Sequence, residues 1–189
     1  MSNKTIWVTH AVLLTVAAVF MYAASLLAGA ATTEDLSREA RTVLDKLYSN
    51  NATAALLGRN ARAVLVFPRL IRAGLTARPY TAFSGAYSEG ALFKGSSPSG
   101  FYKLISSTWK PEVDGRTVSC VVFLMTAEAE ATLGSGTWTV EAGAILDRAK
   151  SSMSTVSIDN RDSYVLVFDE SGLITAGSLQ GAKVSQIAN

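Results

Sequence analysis

The side chains that could carry out acid–base, nucleophilic or metal chemistry are few in this chain. Its 189 residues include one histidine, His10, and one cysteine, Cys120. If the N-terminal segment that contains His10 is removed, no histidine remains for Ser-His or Cys-His catalysis or for binding a metal. A single cysteine forms no intramolecular disulfide and supplies no cysteine pair for a metal. The sequence therefore predicts that the mature chain is not an enzyme of the histidine, zinc or thiol kind.

The remaining candidates for chemistry are the thiol of Cys120 and one pair of carboxylates. Cys120 lies in the apolar run 119–125, where a cysteine is expected to be a small buried hydrophobe and an inert thiol. Glu112 and Asp114 could be paired as in a glycosidase. Their spacing of two residues, beside Lys110 and Arg116, is more typical of a solvated ladder of ion pairs on a strand. Neither feature indicates catalysis, and no cofactor is expected.

The basic side chains are concentrated in one part of the chain. Residues 59–116 hold nine Lys and Arg against three acids, whereas residues 117–189 hold four against eight. Within the basic part, three arginines alternate with large apolar groups. This candidate lipid-binding segment comprises Arg69, Leu70, Ile71, Arg72, Leu75, Arg78 and Tyr80. Such alternation suits a surface that meets anionic lipid headgroups, and it also suits a solvated face with ordinary core residues between the arginines.

Residues 1–30 have the pattern of a secretory signal peptide. Lys4 gives a basic start, an apolar stretch follows over residues 11–27, and small residues close it at Ala28-Gly29-Ala30. We expect cleavage after Ala30, which leaves residues 31–189 as a single domain. The alternative is an uncleaved membrane anchor through residues 6–28, because the apolar stretch approaches the roughly 20 residues that span a bilayer. The position at which a bacterial lipoprotein carries its acylated cysteine is Ala30, so lipidation is not expected.

The composition is that of a folded domain, with 49% apolar and 17% charged residues. Residues 32–47 predict an amphipathic helix, because their apolar side chains recur at helical spacing. These side chains are Leu36, Ala40, Val43, Leu44 and Leu47. A second, shorter helix is predicted over residues 53–60. The net charge of +2 argues neither for nor against nucleic acid.

Strand patterns follow the two helices. Residues 63–67 form an apolar run that Pro68 is expected to end, and residues 118–125 and 164–168 form two more. Residues 140–146 fit a strand or a helix, and 173–179 with 183–187 predict a closing hairpin. Glycines that we expect at tight turns between strands lie at Gly74, Gly85, Gly90, Gly95 and Gly100. The predicted fold class is α+β, with two N-terminal helices followed by a mostly antiparallel, glycine-punctuated β-sheet.

Several of these segments together resemble the SYLF-domain family. Residues 61–68 (ARAVLVFP) are similar to the family's Ala-x-Ala-x-Leu-Val-Phe-Pro strand, and Arg72-Ala73-Gly74 to its Lys-Ala-Gly element. Further similar segments, in the family's order and spacing, are Tyr87–Leu92 (YSEGAL), Gly100–Tyr102 (GFY), Val122–Thr126 (VFLMT), Gly172-Leu173 and Ser178–Lys183 (SLQGAK). The resemblance covers nearly the whole chain after residue 31.

This resemblance implies a non-enzymatic domain that binds phospholipid at a membrane surface. For an exported bacterial member, it implies a membrane-associated protein that is periplasmic or secreted, with anionic phospholipid as its partner. Actin, which eukaryotic relatives meet, is not expected, and neither nucleic acid nor a metal is expected as a partner. The alternative is a structural or protein-interaction module of the same fold that has lost lipid binding.

The chain also departs from the family's pattern. A strand that is rich in glycine and glutamine in the family matches charged residues here, at Lys110, Glu112, Asp114 and Arg116. Ser88 and Ala176 stand at two further glycine positions, and about six extra residues lie near residues 76–81. A charged strand face is expected to be solvated, because four charges are costly to bury unless they pair. We therefore expect the candidate lipid-binding segment, and not this charged strand, to contact lipid.

Overall fold

The computed structural model describes residues 33–75, 83–107, 117–141, 144–146, 161–174 and 179–187, with the backbone only for 71–75 and 83–84. The chain divides into two compact units, Met1–Asp35 and Leu36–Asn189. In the first unit only residues 33–35 are described, and they are helical. In the second unit the described residues form helices and one seven-stranded sheet. In chain order the elements are α1 (33–50), α2 (Ala52–Asn60), β1 (Ala63–Leu75), β2 (Phe83–Lys94), β3 (Ser97–Ser106), β4 (Val118–Leu124), α3 (Ala127–Gly134), β5 (Ser163–Asp169), β6 (Gly172–Leu173) and β7 (Lys183–Gln186).

The sheet has the order β6-β5-β4-β1-β2-β3-β7, and every neighbouring pair is antiparallel. The predicted α+β class, with two helices before an antiparallel sheet, is confirmed.

The prediction that five glycines lie at tight turns between strands holds at only one of the five positions. Gly95 lies in the turn between β2 and β3 with a φ of 60°, whereas Gly74, Gly85, Gly90 and Gly100 lie inside strands. The strands are longer than the glycine spacing suggests, because glycine is tolerated where another strand approaches closely.

The two predicted N-terminal helices are confirmed. In α1 the side chains of Ala40, Leu44 and Leu47 are buried, as the helical spacing predicts. The side chain of Asn51 starts α2 by accepting a hydrogen bond from the backbone N–H of Ala54 at 2.9 Å. This cap satisfies a backbone N–H that the first turn of α2 leaves without a partner in the helix. Asn51 therefore separates the two helices, since α1 ends at Asn50 and α2 begins at Ala52.

The sheet is covered on both faces by apolar side chains. On one face the buried side chains of α1 and α2 pack against those of β1, β4 and β5, including Val66, Phe123 and Leu166. On the other face α3 and the segments around Trp138 and Leu179 form a second core. All seven residues of β4 are buried. Burial on both faces explains why β4 and β5 are continuous apolar runs instead of alternating patterns.

Helix α3 was not predicted from the sequence. Thr126 caps it, and its Oγ1 accepts a hydrogen bond from the N–H of Ala129 at 3.2 Å. Ala129 and Leu133, four residues apart, are its buried residues. Its four apolar residues, Ala127, Ala129, Ala131 and Leu133, alternate with other residues and do not show helical spacing, so the threonine cap was the available signal.

The prediction that Pro68 ends the first strand is wrong. Strand β1 continues to Leu75, with a β-bulge where its register shifts between Phe67 and Leu70 against β4 and between Val66 and Ile71 against β2. Proline has no N–H for a ladder hydrogen bond, and a bulge is where a strand tolerates that loss. The bulge therefore lets the chain keep the strand through a residue that would otherwise break it.

The described part of 173–179 does not pair with 183–187 as the predicted C-terminal hairpin requires, and residues 175–178 lie outside the described residues. Strand β6 pairs with β5, whereas β7 pairs with β3 at the opposite edge of the sheet. The described residues between 140 and 146 form neither an α-helix nor a strand. The N–H of Val140 bonds the carbonyl of Ala182 at 3.0 Å, Ala144 lies in a 3₁₀ turn, and Ile145 forms a single parallel bridge with Val165. Among the described residues, no helix is both long and apolar enough to cross a membrane.

Candidate functional site

The first arginine of the candidate lipid-binding segment is tied to helix α1. The Nε of Arg69 lies 2.8 Å from Oε1 of Glu39, and its Nη2 donates to Oε2 of Glu39 at 3.0 Å. This two-bond geometry is the one in which a guanidinium group recognises a carboxylate or a phosphate. Both side chains stay substantially exposed, at 64% and 36%. An exposed pair of this kind stabilises the fold by at most about 1 kcal/mol, so Arg69 is held in place but remains accessible.

The structure places the other residues of this segment differently. Leu70 is only 7% exposed and packs in the core with Phe67 and Val118. The prediction that Leu70 contacts lipid is therefore corrected: the bulge turns its side chain into the protein. Ile71, Arg72 and Leu75 lie in β1, where only their backbone is described. Arg78 and Tyr80 lie outside the described residues, as do Lys110, Glu112, Asp114 and Arg116 of the charged strand.

Two serine hydroxyls hold the bulge of β1. Ser119 of β4 donates to the carbonyl of Pro68 at 2.8 Å, and Ser88 of β2 donates to the carbonyl of Arg69 at 2.6 Å. Both serines are buried. The register shifts at the bulge, and without the hydroxyl of Ser119 the carbonyl of Pro68 would be a buried acceptor without this donor. Ser88 and Ser119 thus contact the backbone on either side of the bond between Pro68 and Arg69.

A pocket of about 470 Å³ opens beside this bulge, between α1, Pro68 of β1, the start of β4 and the turn from β5 to β6. Its size falls in the range of about 300–1,000 Å³ that is typical of small-molecule sites. Helix α1 contributes one stripe of side chains at helical spacing. The lining residues are Glu39, Val43, Lys46, Leu47, Asn50, Asn51, Pro68, Thr117, Ser119, Phe168, Asp169, Glu170, Ser171, Gly172 and Leu173.

The pocket is amphipathic. Leu47, Phe168 and Leu173 are buried and, with Val43 and Pro68, provide apolar surface. Amide, hydroxyl and charged groups complete the lining. Apolar walls with a few polar groups are the usual make-up of a site that binds a small molecule and fixes its orientation.

The turn between β5 and β6 brings acidic groups to the pocket. Oδ1 of Asp169 accepts hydrogen bonds from the N–H of Ser171 at 2.7 Å and from its hydroxyl at 2.5 Å. Gly172 has a φ of 118°, which only glycine adopts easily, so the turn is well specified. Asp169 is therefore part of the turn's own hydrogen bonding, while Glu170 is exposed at its tip.

Three observations on the described residues concern metal-binding and nucleophilic groups. The described residues contain no group of three or more His, Cys, Asp or Glu placed to hold a metal ion. The thiol of Cys120 is fully buried, as predicted, and burial raises its pKa from 9.0 to about 12. The hydroxyl of Ser119 reaches the pocket but is already donated to Pro68.

The pocket was not predicted from the sequence, since its walls come from four segments that are far apart in the chain. The helical stripe Glu39, Val43, Lys46 and Asn50 was a partial signal, because it combines one apolar with three polar positions on a single face. Neither a scan against protein-family models nor a search of curated proteins found a match for this chain.

Proposed function

We propose that residues 31–189 form a non-catalytic, exported lipid-binding domain that acts at a membrane surface. The observation that carries this proposal is the amphipathic pocket of about 470 Å³ beside the bulge from which Arg69 projects. A lipid needs apolar surface for its chain and polar or charged groups for its headgroup, and both occur here. Further support comes from the resemblance to the SYLF-domain family and from the signal-like residues 1–30.

Arg69, Arg72 and Arg78 provide the attraction to an anionic surface in this proposal. Each cation near such a surface contributes about 1 kcal/mol, and less at high salt. Arg72 and Arg78 together strengthen binding by on the order of 30-fold, and Arg69 adds to this when a lipid phosphate replaces Glu39 as its partner. The apolar contribution belongs to the pocket and to residues after Leu70, since Leu70 itself is in the core.

Vesicle flotation of the exported full chain tests the proposal. We expect association with anionic vesicles that exceeds association with neutral vesicles and falls as salt is added. Changing Arg69, Arg72 and Arg78 together to glutamine abolishes this preference, because the charge that attracts the headgroups is lost. A control with Arg59, Lys103 and Lys183 changed to glutamine loses the same charge elsewhere and retains most of the preference. Circular dichroism checks that both variants fold.

Comparison with neutral vesicles separates this mechanism from an uncleaved anchor through residues 6–28, which would insert into either kind of vesicle. If the arginine triple variant prefers anionic vesicles as the parent does, the assignment of these arginines is wrong. If the parent associates with neither kind, the proposal that the domain acts at a membrane surface fails.

The second candidate is a structural or protein-interaction module of the same fold. One observation favours it: Arg69 is already paired with Glu39, so part of the predicted lipid-binding charge is used within the protein. Mass spectrometry of lipids that copurify with the native protein distinguishes the two functions, because only the lipid-binding domain retains a stoichiometric lipid.

A further inference from the structure

The charges around the pocket belong to separate elements of its lining. At α1 lie Lys46 and the pair formed by Glu39 and Arg69, whose charges cancel. Another element of the lining, the turn from β5 to β6, carries Asp169 and Glu170. The pocket therefore receives a cation from α1 and carboxylates from the turn, with apolar surface from Val43, Leu47, Phe168 and Leu173.

This separation determines which headgroup the pocket fits. A purely anionic headgroup gains attraction from Lys46 but meets repulsion from Asp169 and Glu170. A headgroup with both a phosphate and an ammonium group can place the phosphate at Lys46 and the ammonium group at the acidic turn. Both charges of such a ligand are then complemented, and its hydrocarbon part meets the apolar surface.

We propose that the pocket binds a zwitterionic phospholipid, with its phosphate at Lys46 and its ammonium group at Glu170 and Asp169. This inference rests on the proposed function in one respect, which is that the ligand is a lipid. It assigns two different roles. The candidate lipid-binding segment contacts the anionic membrane surface, and the pocket selects one lipid by its headgroup.

Short-chain phospholipids that stay monomeric in solution provide a test that is independent of vesicle association. The exported full chain is titrated with dihexanoyl lipids that carry a phosphoethanolamine or a phosphoglycerol headgroup, and backbone amide shifts are recorded by NMR. We expect shifts at Lys46, Asn50, Ser171 and Gly172, with tighter binding of the phosphoethanolamine lipid. Shifts elsewhere, or equal affinity for the two headgroups, overturn the proposal.

Two variants and one control sharpen the test. Glu170 is exposed at the turn from β5 to β6, so the fold tolerates the substitution Glu170→Lys. This substitution weakens binding of the phosphoethanolamine lipid by roughly fivefold and does not weaken binding of the phosphoglycerol lipid. Val43→Phe fills the apolar part of the pocket and weakens both lipids. Glu128→Lys makes the same charge change at an exposed position of α3, away from the pocket lining, and leaves both affinities unchanged. If Glu170→Lys and Glu128→Lys behave alike, the headgroup assignment is wrong.

The outcome can be separated from that of the proposed function. Association of the parent with anionic vesicles, together with no short-chain lipid at the pocket, overturns this inference and leaves the proposed function standing. Binding of the phosphoethanolamine lipid at the pocket, together with no vesicle association, supports the inference and restricts the function to binding single lipid molecules. Absence of both overturns both.

Discussion

Ser119 and Ser88 supply the hydrogen bonds that the bulge of β1 cannot make within the sheet. Their hydroxyls reach the carbonyls of Pro68 and Arg69 from the two strands that flank β1. Each serine is buried, so water does not readily replace a lost hydroxyl. Two small side chains thus set the path of the backbone at the point where the pocket wall and Arg69 begin.

Ser119→Ala is expected to destabilise the protein by about 1–3 kcal/mol, because it leaves the carbonyl of Pro68 without its donor. Urea unfolding followed by circular dichroism measures the change in the free energy of unfolding. Ser97→Ala, at an exposed position of β3, is the matched control and should change stability by less than about 0.5 kcal/mol. Equal effects of the two substitutions would show that the hydroxyl of Ser119 does not support the bulge.

Cys120 is expected to react slowly with a thiol reagent in the native protein and rapidly in denaturant. The side chain is fully buried, and burial raises the pKa of the thiol to about 12, so very little reactive thiolate is present at pH 8. The chain contains no other cysteine, so the mass increase on labelling reports this residue alone. Similar labelling rates with and without denaturant would contradict the burial of Cys120 in β4.

At the scale of elements, β1 and β2 are held unusually close at Gly90. A Cβ added at this position would clash with the backbone carbonyl of Val66 and lie 2.6 Å from Cδ1 of Phe67. The contact with Val66 is to backbone, which cannot move without disturbing the ladder between β1 and β2. Glycine is required here by close approach, since no positive φ is needed.

Gly90→Ala should therefore destabilise the protein by about 1–3 kcal/mol or more, through overpacking between two central strands. Gly134→Ala, at the end of α3, is the control, because a Cβ there meets no atom within 4 Å. That control should be neutral or stabilise the protein by about 0.4–1 kcal/mol, since alanine restricts the unfolded chain. Denaturant midpoints of the two variants should move in different directions, and a shared direction would argue against the close approach of β1 and β2.

At the scale of the whole molecule, the sheet lies between two apolar layers, and the pocket opens at the edge of one of them. Helix α1 belongs to this layer and lines the pocket with one stripe of side chains, while its buried stripe packs on the sheet. The same helix therefore contributes to both the core and the candidate site. Lipid contact at this pocket would leave the second layer, around α3 and Trp138, unaffected.

If the protein is exported as proposed, its mature form is expected to begin near Ala31, because small residues close the signal-like segment at Ala28-Gly29-Ala30. No acyl chain is expected, because this segment contains no cysteine. Intact mass spectrometry of the protein recovered from the host checks both statements. A mass that retains residues 1–30 would favour the anchor interpretation, and an added acyl mass would contradict the unlipidated assignment.

The sequence by itself determined the features that local patterns encode. Helical spacing in residues 32–47 predicted the buried face of α1, and apolar runs predicted the strands at 63–67, 118–125 and 164–168. The burial of Cys120 followed from its apolar neighbours. Each of these predictions depends on residues within a few positions of one another, and each is confirmed by the described structure.

The tertiary structure alone decided the features that depend on distant partners. Strand β1 passes through Pro68 because Ser119, 51 residues away, and Ser88, 19 residues from Arg69, satisfy the carbonyls of the bulge. The bulge in turn buries Leu70, which the sequence had placed on the lipid-binding surface. The last strands separate to opposite parts of the sheet because each pairs with a partner outside its own segment. The pocket arises from the same cause, since long-range pairing brings α1, β1, β4 and the β5–β6 turn together.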